Sequence, residues 1–148
     1  MKRFIALIAT VAFLSTASLY GAKEVKLDGI KCPVSGKAVK AEHAEGYKKT
    51  AKVYFCCPNC PKAFAGNTAK FAAKANQQLY ATGQATAVKC PLTGKPINAV
   101  QKVTINGKAT AFCCGGCKGK VTKAKDKITL VFADKAFAKG FKVVVEKK

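Results

Sequence analysis

Eight cysteines stand in two copies of one pattern, and that duplication constrains the fold of this 148-residue chain more than any other feature. Lys31-Cys32-Pro33-Val34-Ser35-Gly36-Lys37 returns 58 residues later as Lys89-Cys90-Pro91-Leu92-Thr93-Gly94-Lys95. Tyr54-Phe55-Cys56-Cys57-Pro58-Asn59-Cys60 returns 57 residues later as Ala111-Phe112-Cys113-Cys114-Gly115-Gly116-Cys117, so the intervening loop has lost one residue. Beyond the cysteines the 57-residue offset holds: Phe64 aligns with Val121, Phe71 with Ile128, Tyr80 with Phe137 and Gly83 with Gly140. Cysteines, apolar positions and glycines agree together, which is the mark of an internal repeat. A unit of about 60 residues buries too little surface to be secure alone and normally needs a staple. The cysteines are the obvious one.

The local signals run in the same order in each copy. Residues 24–30, with Val25, Leu27 and Ile30, are expected to form a short strand before the breaker-rich turn 33–36. Residues 52–55 read as a strand leading into Cys56. A helix is expected after Pro58, with Phe64 toward the core. Gly66-Asn67-Thr68 interrupts it and offers Asn67 or Thr68 as the N-cap of a second helix. That helix, residues 69–81, places Phe71, Ala75 and Leu79 on one face and stops at Gly83. Residues 85–88 read as a strand. In the second copy residues 128–132 are β-branched, but their alignment with residues 71–76 favours helix, and 141–145 is a closing strand.

Each copy thus supplies one cysteine from a turn and a Cys-Cys-x-x-Cys cluster from a strand end and helix start. Cys57 and Cys60, like Cys114 and Cys117, have the two-residue spacing of a zinc knuckle. Cys56 and Cys60, like Cys113 and Cys117, lie about one helical turn apart. A site for a soft ion needs three or four thiolates converging from separate segments. Helix N-termini favour thiolates through their free N–H groups.

Cys-Pro-Val-Ser-Gly-Lys followed by Val-Tyr-Phe-Cys-Cys-Pro-Asn-Cys and Phe64 resembles the TRASH and YHS group of small metal-binding domains. Those domains are similar to treble-clef fingers and recur in heavy-metal sensing, trafficking and resistance. The resemblance covers both copies. It implies ligation by Cys32, Cys56 and Cys60 and by Cys90, Cys113 and Cys117, with Cys57 and Cys114 extra, each a fourth ligand or a neighbouring thiol; the expected sites are Cys32, Cys56, Cys57 and Cys60 in one copy and Cys90, Cys113, Cys114 and Cys117 in the other. The gap after the lone cysteine is slightly longer than the family pattern. The implied fold class is α+β, two tandem treble-clef or zinc-finger-like modules over 23–83 and 84–148, each a short β-hairpin plus helices. The implied cofactor is zinc or copper(I), about one ion per module.

The first residues bear on compartment. Met1, Lys2 and Arg3 are followed by an apolar run, 4–14, and then small and polar residues. This is the pattern of a signal peptide, 1–22, and is too short for a membrane span. Export to a periplasm or the medium is expected, with no transmembrane segment in the mature chain. The 27 basic residues outnumber 7 acidic ones, for a net charge of +20, and Arg3 is the only arginine. Lysine is a hydrated point charge without arginine's planar fork. A lysine-rich face therefore points to loose attraction to anionic surfaces and away from specific nucleic-acid recognition.

His43 is the single histidine and has no histidine at its repeat position, so it is read as a surface residue. Carboxylates are scattered and no nucleophile has a repeated histidine partner, which argues against an enzyme. Two other readings remain open. Eight cysteines in an exported chain also suit a disulfide-stapled scaffold. Cys-x-x-Cys at a helix start also suits a thiol oxidoreductase, although the βαβ setting of such enzymes is missing.

Overall fold

The computed structural model describes residues 25–144, so the expected signal peptide lies outside the described residues. The chain is mixed α+β and the two copies fold alike. Each begins with a tight knuckle round its first cysteine. The Cys32 amide donates to the Lys37 carbonyl at 2.8 Å and the Gly36 amide to the Cys32 carbonyl at 2.8 Å. Around Cys90 the matching distances are 2.8 Å to Lys95 and 2.7 Å from Gly94. Gly36 and Gly94 close these turns at φ 75° and 76°, a conformation open to glycine without strain.

A two-stranded antiparallel hairpin follows: β1 (Lys40–Tyr47) with β2 (Ala51–Phe55) in the first copy, and β4 (Asn98–Ile105) with β5 (Lys108–Phe112) in the second. Both have a register shift at the same place, between Lys40 and Ala44 and between Asn98 and Lys102. The inner strands carry the core, with Val53, Phe55 and Phe112 fully buried. Helices α1 (Asn59–Gly66) and α3 (Gly115–Lys123) then leave the hairpins at the cysteine clusters. Phe64 and Val121 point inward, as their alignment requires.

Next comes α2 (Thr68–Ala81), capped by the Asn67 side chain, which accepts from the Lys70 amide at 3.1 Å. Its counterpart is broken into α4 (Lys127–Phe132) and α5 (Asp134–Gly140). The break is at Ala133, which adopts φ −53° and ψ 149° and aligns with Asn76. The buried Asn76 amide nitrogen fills the gap, donating to the Phe132 carbonyl and to Asp134 Oδ1, both at 2.9 Å. The expected helix over 128–132 is therefore present, but short.

The short strands β3 (Ala85–Ala87) and β6 (Phe141–Val143) pair antiparallel with each other, joining the C-terminal ends of the two copies. Helix α2 packs on α4, and each hairpin turn reaches the other copy's helix. Lys48 lies 5.5 Å from the Phe137 ring centroid and Lys108 lies 5.8 Å from that of Tyr80, which is Phe137's aligned partner. The result is an approximate two-fold arrangement round one continuous core, with residues of both copies in the same cluster.

One expectation about strands is corrected. Residues 25–30 form no strand. Gly29 turns at φ 72°, the Ile30 amide bonds back to the Leu27 carbonyl, and only an isolated bridge joins Lys31 to Ala38. Conversely, β1 and β4 gave no apolar alternation because they lie mostly exposed. Among the described residues, no helix is long and apolar enough to cross a membrane.

Candidate metal centre

In each copy three segments meet at one point. The knuckle supplies Cys32 or Cys90, the end of the inner strand supplies Cys56 or Cys113, and the first turn of the following helix supplies Cys60 or Cys117. The three sulfurs of each set lie within 4.8 Å of one another. Cys32 and Cys90 are buried, Cys60 is 7% exposed, and Cys56, Cys113 and Cys117 are half-buried. Chain separation is bridged by the hairpin, whose job here is to return the chain to its own knuckle.

Sulfur spacing provides a test of fit. Thiolates bonded at about 2.3 Å to one tetrahedral ion lie about 3.8 Å apart. The Cys56–Cys60 sulfurs are 3.7 Å apart and the Cys113–Cys117 sulfurs 3.6 Å. The donor set, three soft sulfurs on a small triangle, fits a thiophilic ion. All eight cysteines are unbridged.

Cys57 and Cys114 stand outside the triads but next to them, and they differ. The Cys57 sulfur lies 3.4 Å from that of Cys60, whereas the Cys114 sulfur is 3.7 Å from that of Cys113. Cys57 is half-buried and Cys114 exposed. His43 belongs to neither triad; it is half-buried and 3.4 Å from Glu42.

A pair of hydroxyls completes the sites. Ser35 Oγ is 3.0 Å from the Cys56 sulfur, and Thr93 Oγ1 is 3.3 Å from that of Cys113. Sequence reasoning passed over these residues as turn formers. Their signal was a hydroxyl retained at the same place in both copies.

The thiols divide by environment. Burial pushes Cys32 up, but bonds from the Ser35 side chain and from the backbone of Ser35, Cys56 and Val34 outweigh it and bring it to about 7. Cys90 is brought to about 6 in the same way, against burial, by the Thr93 side chain and the backbone of Cys113, Thr93 and Leu92. Cys60 is pushed up to about 12 by burial and then by its contacts with Cys57, Cys56 and Cys32. Cys117 is pushed up to about 12 by burial and then by Cys113, Cys114 and Cys90. Cys57 is lowered by the Cys60 side chain and backbone, and Cys114 by the Cys117 backbone and the Cys113 side chain. Without an ion, each triad therefore keeps one thiol, Cys60 or Cys117, protonated beside an easily ionised one, because burial first and the contacts with neighbouring sulfurs second disfavour its charged form.

No protein-family model matches the chain, and no curated protein or solved structure matches it either.

Proposed function

We propose that this is an exported, non-catalytic protein that holds one zinc or copper(I) ion in each of its two cysteine sites. The role is metal homeostasis or sequestration, or structural support by the ions themselves. The observation that carries the reading is the paired triad: two sets of three cysteines whose sulfurs lie within 4.8 Å, built from the same three segments in both copies. Duplication that keeps geometry as well as sequence favours ligation over incidental clustering. The order of knuckle, hairpin and helix supports a treble-clef reading and the likeness to TRASH and YHS domains.

Three thiolates suit copper(I), while four close a structural zinc site. Cys57 and Cys114 are the available fourth ligands. When bound, the ion supplies a cross-link between knuckle, strand and helix. The chain's own part is to present the triad and to shield it on the Cys32 and Cys90 sides. The lysine-rich surface favours contact with anionic surfaces through charge alone.

Elemental analysis of mature protein purified from its oxidising compartment, with free thiols counted in parallel, tests the reading. About two metal equivalents with unoxidised cysteines are expected, and the element separates zinc from copper. Metal-free protein with almost no free thiol refutes it in favour of a disulfide scaffold. Thiol–disulfide cycling against a glutathione buffer that leaves metal content unchanged refutes it in favour of an oxidoreductase.

A further inference from the structure

We infer that the two sites have diverged into a retaining centre, Cys32, Cys56 and Cys60, and an exchanging centre, Cys90, Cys113 and Cys117 with Cys114 as its entry thiol. This deepens the metal-binding proposal and rests on it. Three independent differences between otherwise matching copies point the same way.

The first is bracing. The free edge of β2, the strand that leads into Cys56, is held by two glutamine amides. Gln78 accepts from the Tyr54 amide at 2.7 Å and donates to the Tyr54 carbonyl at 2.9 Å and the Lys31 carbonyl at 3.1 Å. Its three bonds tie the residue before Cys32 to the strand before Cys56. Gln84 makes the equivalent pair with Lys52, at 2.7 and 2.8 Å. The aligned residues of the second copy are Lys135, which is exposed, and Phe141. On β5 a Tyr80 hydroxyl donates to the Ala109 carbonyl at 2.7 Å.

The second is backbone stiffness. Pro58-Asn59 separates Cys57 from Cys60, whereas Gly115-Gly116 separates Cys114 from Cys117. Two glycines leave that segment far freer to open. The third is access: Cys60 is buried and Cys57 half-buried, but Cys117 is half-buried and Cys114 exposed.

Exchange at the second site proceeds by ligand substitution, without redox change. An incoming thiolate from a thiol-bearing acceptor forms a bond to the ion. The bond to a Cys114 or Cys117 sulfur breaks, and that sulfur takes up the proton the acceptor released. Repetition moves the ion to the acceptor.

The test loads the full chain with two equivalents of cadmium(II) and follows loss of thiolate charge-transfer absorbance under excess chelator. Two phases of equal amplitude are expected, at least about tenfold apart in rate. Tenfold corresponds to about 1.4 kcal/mol of barrier. Cys117→Ser removes the fast phase and Cys60→Ser the slow one. A single phase, or a fast phase that survives Cys117→Ser, overturns the assignment while leaving metal binding intact. Failure to take up cadmium overturns the metal-binding proposal as well. A second measurement needs no variant: in loaded wild-type protein, Cys114 and Cys117 are alkylated at least about tenfold faster than Cys57 and Cys60, as mass spectrometry reads. Equal rates refute the divergence.

Discussion

Replacing Gln78 with methionine keeps the side chain's length and removes its amide, which isolates the bracing of the first site. Gln78 is 1% exposed, so water has little access to the place of its amide. Three bonds disappear, two to Tyr54 and one to Lys31. A neutral bond contributes about 1 kcal/mol net, and stranding a buried partner costs about 1–3 kcal/mol. Tyr54 is only half-buried, so part of its backbone can rehydrate. The expected loss is about 3 kcal/mol. Urea slopes for small proteins are about 1–3 kcal/mol per molar, so the midpoint falls by about 1–3 M. The assay is urea unfolding of zinc-loaded protein at fixed free zinc, since bound ligand shifts apparent stability by mass action. The control is Lys135→Met at the aligned exposed position, expected to stay within about 0.5 kcal/mol of wild type. Equal effects of the two substitutions would refute the reasoning that this glutamine braces one copy and has no equivalent in the other.

Gly140→Ala places a Cβ 2.7 Å from Pro91 Cα and 2.8 Å from its nitrogen, against backbone that cannot step aside. Overpacking of this kind costs about 1–3 kcal/mol. Because Gly140 also accepts from the Val88 and Lys89 amides, zinc titration should show the Cys90 site weakened before the Cys32 site. Zinc binding at pH 7 should release at least one proton per site, from the Cys60 and Cys117 thiols that lie near 12 without metal, so affinity falls as pH falls. Calorimetry in buffers of different ionisation enthalpy reads this, and a buffer-independent heat would refute it. The Asp134 carboxyl is held below its usual range by its hydrogen bonds from Lys48 and Asn76. Its stabilising contribution is therefore complete above about pH 4 and is lost as pH falls through the depressed folded value. Asp134 is largely exposed, so the acid-dependent loss removed by Asp134→Ala should stay below about 1 kcal/mol in urea midpoints at pH 3 and 6.

What could be read from the sequence was whatever repeats. Cysteines, glycines and apolar positions recur at one offset, so the knuckles, the inner strands, the helices after the clusters and the triads could all be placed from one copy against the other. Periodicity failed where strands lack a buried face: Lys40–Tyr47 is held by pairing with β2, not by an apolar pattern. The alignment also hid what matters most for the relation between the copies, because that relation is made by residues that do not repeat. Asn76 fits opposite the break at Ala133 only because positions 76 and 133 meet near the approximate two-fold axis. The Asn76 amide donates to the Phe132 carbonyl beside that break, so one copy keeps the amide and the other keeps the gap. Gln78 and Lys135 show the same logic at the cysteine sites. The glutamine bracing is kept in one copy only, while the chain before Cys90 is tied instead to the Gly140 carbonyl by the Val88 and Lys89 amides. The repeat locates the cysteine triads, and departures from the repeat distinguish one triad from the other.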